Sequence, residues 1–183
     1  TATLFSGDAF GCFGALNGGV LDSELDTNIY WGEMIRYYSN IVGKYGVQVQ
    51  MALKKLAGAK LERICSTHGP VWTTQIPQVV GIYNRLSLYQ GIPGVSLIYG
   101  SMYGNTERMA ESVAEGLIKG GLKTFTMNKL GRTESSYLIA DAFNFNGLVL
   151  GAPTYNNGIY PLMAEFLAEL QGRGLKNRMI GCF

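Results

Sequence analysis

Histidine is almost missing from this chain: His68 is the only one among 183 residues. Imidazole chemistry, whether metal binding or proton transfer, normally draws on several partners, so a self-sufficient multi-histidine centre is excluded. Cysteine is nearly as scarce. Cys12, Cys65 and Cys182 form no C-x-x-C pair, which excludes a zinc ribbon or a dithiol motif, and they read most simply as small buried hydrophobes. So sparse and odd a set of thiols fits a reducing cytoplasm better than a secreted disulfide scaffold. Charge is low too: 15% of residues are charged and the formal net charge is +2, which leaves no basic face for nucleic acid. No apolar run approaches the length of a membrane span. The first residues carry neither a basic n-region nor a long apolar h-region and do not read as a signal peptide.

What is present is a 47% hydrophobic chain, enough for a real core, with 25 glycines. That is about twice typical glycine usage and suits an α/β protein with many tight strand-to-helix turns. Residues 1–6 read as a strand entering the Gly-rich loop GDAFGCFGALNGG. Ile35, Tyr38, Val42, Tyr45, Val49, Leu53 and Leu56 recur at steps of three and four, which predicts one long helix over 31–57. LERICS is a short strand and 75–89 a second helix. Breaker-rich residues around 91–94 read as a linker between a first domain, 1–90, and a second, 95–183. In the second, strands VSLIYG, LKTFTMN, GLVLGA and RMIGCF alternate with helices, the signature of right-handed crossovers and a parallel sheet in 2-1-3-4-5 order.

Two loops in that half carry chemistry. The first is GSMYGNTE, with Ser101, Met102, Tyr103, Gly104, Asn105 and Thr106 between a strand and a helix. Helix N-termini offer unpaired amides and the positive end of the macrodipole to a phosphate. Ser101, Asn105 and Thr106 add short polar side chains, and Gly104 permits a tight turn. This loop has no Lys after a Gly, which excludes a Walker A loop, and no G-x-G-x-x-G follows the strand. A hydroxyl-lined loop without a cation suits the phosphate of a flavin mononucleotide, FMN. An Asn/Thr cap on an ordinary helix is the simpler alternative for this loop alone. The second loop contains Pro153, Thr154, Tyr155, Asn156, Asn157 and Gly158 after the neighbouring strand. There Tyr155 can offer a ring face to an isoalloxazine, and the asparagines and backbone its polar edge.

SMYGNTERMAE and GAPTYNNGIYP closely resemble the flavodoxin-like domain of the flavodiiron proteins. Upstream, LFSGDAFG, RYYSNIVGKYGVQVQMALKKL and ICSTHGPVW resemble the second half of that family's other domain. The resemblance implies an α/β chain: the C-terminal half of a metallo-β-lactamase-like αββα domain, then the N-terminal part of a flavodoxin-like doubly wound parallel sheet. It implies FMN and two non-haem iron ions as cofactors, with Asp8 as a bridging carboxylate and His68 as the last imidazole ligand. Carboxylate oxygen and neutral imidazole are both suitable donors to iron. Asp22, Glu24 and Asp26 offer an alternative acidic cluster, but their spacing in a polar loop reads as a solvated turn.

The same resemblance implies an oxidoreductase that reduces dioxygen to water, nitric oxide to nitrous oxide, or both. Electrons would come from rubredoxin or a flavin reductase, in a head-to-tail homodimer that is cytoplasmic and bound neither to nucleic acid nor to membrane. The family's H-x-E-x-D-H ligand motif has no counterpart in these residues. With apparent strands at both ends, the chain reads as an internal piece of such a protein, cut inside both domains. Two rival readings stay open at this point: a flavodoxin-type electron carrier with a structural first half, and a β-lactamase-like zinc hydrolase with a flavin domain.

Overall fold

The structure is a computed structural model that describes residues 2–183. These fall into two compact units, the first ending at Tyr89 and the second running Gln90–Phe183.

The first unit opens with β1 (Ala2–Gly7). After a long loop come α1 (Asn28–Tyr37) and α2 (Gly46–Leu56), then β2 (Leu61–Ser66) and α3 (Ile76–Ser87). β1 and β2 pair in parallel, so both strands end at the same edge. Behind them lies an aromatic-rich core in which Tyr30, Met34, Tyr38, Ile64, Trp72, Tyr83 and Leu86 are fully buried. The Trp72 indole donates to the Phe10 carbonyl at 2.9 Å, and the Tyr30 hydroxyl to that of Ala15 at 2.9 Å. These bonds fasten the glycine-rich loop onto the core.

The single helix expected over 31–57 is broken. It begins at Asn28, passes through a π turn (Tyr38–Val42) and a 3-10 turn (Gly43–Tyr45), and resumes as α2. The cause is crowding. A β-carbon on Gly46 would lie 2.5 Å from the Ser87 carbonyl oxygen, so only glycine lets α2 start so close to the end of α3. The Tyr89 hydroxyl donates to the Gly43 carbonyl at 3.2 Å and satisfies an acceptor that the break exposes. Tyr45, expected on the apolar face, is consequently 46% exposed.

The acidic loop also differs from expectation. Glu24 and Asp26 are indeed surface residues, accepting amide bonds from Val20, Leu21 and Asn28. Asp22 is buried, at 3% exposure, and is not solvated. Its carboxylate accepts from the Thr74 and Gln75 amides at 2.9 and 2.8 Å and from the Thr73 and Thr74 hydroxyls. It therefore satisfies donors at the entry to α3, where a negative charge also complements the helix dipole.

The second unit is built on β3 (Ile92–Tyr99), α4 (Asn105–Lys119), β4 (Phe125–Lys129), α5 (Ser135–Asn144) and β5 (Phe145–Gly151). A hairpin of β6 (Thr154–Tyr155) and β7 (Gly158–Ile159) follows, then α6 (Pro161–Gly172) and β8 (Met179–Cys182). The four long strands are all parallel, in the order β4-β3-β5-β8. Leu97, Ile98, Ile139, Phe143 and Leu148 are buried at 0–2% exposure, as expected for a sheet covered by helices on both faces. The breaker-rich segment is in part strand: β3 starts at Ile92, which pairs with Phe145, and its register shifts before Val95. Among the described residues, no helix is long and apolar enough to cross a membrane.

Two carboxylates give the stability opposite pH dependences. Burial alone would raise the Asp22 pKa, but hydrogen bonds from Thr73, Gln75 and Thr74 outweigh it and hold the carboxyl below its usual value. Its contribution is present above the ordinary carboxylate range and lost as pH falls through the lowered folded value. Asp22→Ala should cost about 2–4 kcal/mol at neutral pH by chemical denaturation, and the variant should be less acid-sensitive than the parent. For Asp141, burial raises the pKa, partly offset by hydrogen bonds from Thr126 and Asn128. The native state then holds a proton that the unfolded state has lost, so stability falls as pH rises from the ordinary value to the raised one. Asp141→Asn should remove that slope and raise the neutral-pH melting temperature by about 2–4 °C, as about 1 kcal/mol would.

Candidate functional sites

Each unit places its candidate residues beyond the C-terminal ends of parallel strands. In the first, Asp8 follows β1 directly and His68 lies two residues beyond β2. The Thr67 amide bonds the Gly7 carbonyl at 2.9 Å and carries the pairing one step past the strands. Beyond that step, His68 Nε2 stands 3.7 Å from Asp8 Oδ1. The two sequence-assigned residues are thus brought together, with side chains 58% and 64% exposed, on an open surface.

The surroundings orient both groups. Thr67 Oγ1 donates to Asp8 Oδ1 at 2.9 Å, and Ser66 Oγ donates to the His68 carbonyl at 2.5 Å. The Cys12 amide also donates to the His68 carbonyl, at 3.3 Å. Gly69 has φ +88°, and a β-carbon there would collide with Cys12 Sγ. Burial and the neighbouring Glu33 charge push the Cys12 thiol up to about 12, so it packs as a neutral hydrophobe. The Tyr37 ring lies 5.6 Å from the imidazole, centroid to centroid. Burial, and then the Asp8 charge and hydrogen bond, push its phenol up to about 12, so it stays a proton donor at neutral pH. Thr67 and Tyr37 were not singled out in the sequence. Adjacency to His68 is a signal for Thr67; nothing local marks Tyr37. Among the described residues, no three His, Cys, Asp or Glu side chains converge as a metal-binding group.

In the second unit, the Gly100 amide donates to the Gly151 carbonyl at 2.8 Å, the last rung between β3 and β5. The two candidate loops leave from this rung on adjacent strands. In the first, Ser101 and Thr106 are both 8% exposed, whereas Tyr103 is 88% exposed and Met102 and Asn105 lie at the surface. Ser101 Oγ accepts the Gly104 amide at 3.1 Å, which folds the loop back on itself. Gly104 takes φ +88° and is the N-cap residue of α4, which has no side-chain cap. The opening amides of α4 are thus left without a protein side-chain acceptor, beside two buried hydroxyls. Asn105, expected to share in the cradle, starts the helix with an exposed side chain.

The second loop is a tight hairpin. Asn156 and Asn157 have φ +48° and +60° and make the two-residue turn between β6 and β7. Asparagine tolerates this left-handed pair, which matches the twist of the strands. Pro153 is half-buried, Thr154 and Gly158 are exposed, and the Tyr155 ring is 49% exposed at the hairpin. Glycine is required at the base of both loops. A side chain at Gly100 would enter the Tyr160 ring, and one at Gly151 the Phe183 ring. Below the first loop, Glu107 accepts hydrogen bonds from the Tyr99 hydroxyl at 3.0 Å and from Lys129 Nζ at 2.8 Å. This cluster was not anticipated from the sequence, because its members come from three separate elements.

Comparison with known proteins agrees with this arrangement. Residues 97–182 match the Flavodoxin family. The whole chain aligns with the anaerobic nitric oxide reductase flavorubredoxin of Shigella dysenteriae at 27% identity, covering 38% of that protein. Rubredoxin oxygen:oxidoreductase from the anaerobe Desulfovibrio gigas superposes with a TM-score of 0.93 at 29% identity, over 99% of this chain and 46% of that one. The Giardia intestinalis flavodiiron protein gives 0.92 at 26% identity, over 99% of this chain and 44% of that one. The chain therefore spans less than half the length of these relatives.

Proposed function

We propose that this chain, which is similar along its length to flavodiiron proteins, belongs to that family and serves an oxidoreductase reducing dioxygen, nitric oxide or both, binding FMN in its second unit and contributing two iron ligands from its first. The observation that carries the reading is the pair of loops leaving the Gly100–Gly151 rung, one with two buried hydroxyls at an uncapped helix start. FMN, when bound, supplies chemistry that moves between one- and two-electron steps. In this reading Ser101, Thr106 and the first amides of α4 hold its phosphate. Tyr155 lies along the flavin ring, with Pro153, Thr154, Asn156, Asn157 and Gly158 framing its polar edge. Met102, Tyr103, Gly104 and Asn105 form the outer wall.

The first unit supplies Asp8 and His68 as donors to a non-haem diiron site. Donors sharing one ion at about 2.1 Å stand about 3.0–3.4 Å apart, so the observed 3.7 Å fits with a small movement. Two donors do not complete a diiron site, so the reading requires further ligands besides Asp8 and His68. Thr67 holds the Asp8 carboxylate in place, and the Tyr37 phenol keeps a proton beside it. An electron donor of the rubredoxin or flavin reductase type and a head-to-tail homodimer belong to the same proposal. Rubredoxin is supported by the name of the Desulfovibrio gigas neighbour.

Iron and zinc analysis of the full-length protein, with oxygen and nitric oxide consumption, tests the reading. FMN without iron would leave an electron carrier, and zinc in place of iron a hydrolase. His68→Ala should lower iron content and reductase activity while FMN content stays unchanged; lost FMN with normal iron would contradict it. Thr106→Ala should weaken FMN by about tenfold or more, the value of one hydrogen bond to a charged group, and leave riboflavin binding unchanged. Flavin fluorescence titration reads both, and an unaltered FMN constant would remove Thr106 from the phosphate site.

A further inference from the structure

The phosphate loop contains no cation, yet one stands directly behind it. Glu107 is the third residue of α4, immediately after Thr106. Its Oε2 pairs with Lys129 Nζ at 2.8 Å, with only 19% of the lysine side chain exposed. Its Oε1 accepts from Tyr99, and Tyr99 and Lys129 are register partners at the ends of β3 and β4. Arg132, in the turn after β4, adds a second positive charge to the field at Glu107 and Tyr99, and Glu111 a negative one at Tyr99. Hydrogen bonds from Lys129 and then Tyr99 hold the Glu107 carboxyl below its usual value, so Glu107 carries its negative charge at neutral pH. A phosphate monoester at the head of α4 carries nearly two negative charges. It is repelled by Glu107 and attracted by Lys129, whose side chains are both partly open to solvent, so added salt weakens both effects.

We propose that the Glu107–Lys129 pair sets the strength of phosphate binding in this loop, with Glu107 holding Lys129 in reserve so that the grip rests on amides and hydroxyls. The inference rests on the FMN reading and deepens it: Lys129 is a latent phosphate-binding cation, and Glu107 is the positioning residue that withholds it. Glu107→Gln is nearly isosteric, and its amide oxygen can still accept the Tyr99 hydroxyl. It removes one negative charge and frees the lysine.

The test measures FMN and riboflavin dissociation constants by fluorescence quenching in the full chain, at low and high salt. Glu107→Gln should tighten FMN by about three- to tenfold at low salt, less at high salt, with riboflavin unchanged. Lys129→Met should weaken FMN by a similar factor, again without effect on riboflavin. The opposite signs mean that either variant suffices if the other fails to fold. Weaker FMN and riboflavin in both variants would make the pair a structural brace and overturn the inference, as would unchanged FMN constants. A parent chain that binds neither flavin would overturn the FMN reading, and this inference with it.

Discussion

The hydrogen bond from the Gly100 amide to the Gly151 carbonyl is the point from which the second unit's candidate site follows. It closes the parallel ladder of β3 and β5, where Gly100, just past β3, and Gly151, the last residue of β5, carry no side chain. Tyr160 covers Gly100 and Phe183 covers Gly151, so the rung is enclosed by aromatic rings and the two loops diverge from one rigid base. One loop becomes the head of a helix and the other a two-residue hairpin. Parallel pairing alone puts both at the same edge; the glycines let the rings close over it.

The first unit repeats this logic with fewer strands. There the Thr67 amide extends the β1–β2 pairing to Gly7, and Asp8 and His68 emerge side by side. The difference lies in enclosure. Ser101 and Thr106 are buried, whereas Asp8 and His68 present more than half of their side chains to solvent. A preorganised hydroxyl cradle and an open donor pair are different levels of completeness, and they explain why the flavin half of the proposed function rests on more of this chain's own geometry than the iron half.

Legibility in the sequence followed the range of the forces involved. The strand order and the positions of the two loops were readable because buried parallel strands are continuous apolar runs, and their turns carry glycine, asparagine and proline in place. Asp8 and His68 were nominated only by resemblance; no local pattern joins residues on separate strands. The break at Gly43 and Gly46 was hidden because its cause is a carbonyl of Ser87. Asp22 was misread as solvated because its partners, Thr73 to Gln75, lie far along the chain. Glu107 was invisible for the same reason: Lys129 meets it only through sheet register.

The Asp22 carboxylate also has a kinetic meaning. The entry to α3 is completed by an acceptor 52 positions earlier, and the Val20–Asp22 backbone reaches it by bonding Val71 on both sides. Closing so long a loop costs entropy before any bond repays it, so α3 cannot acquire its full cap as an isolated segment. Loop and helix therefore gain protection together, late and as one cooperative block. That block also carries the turn on which His68 sits, so the histidine's position is fixed only once this long-range closure has formed.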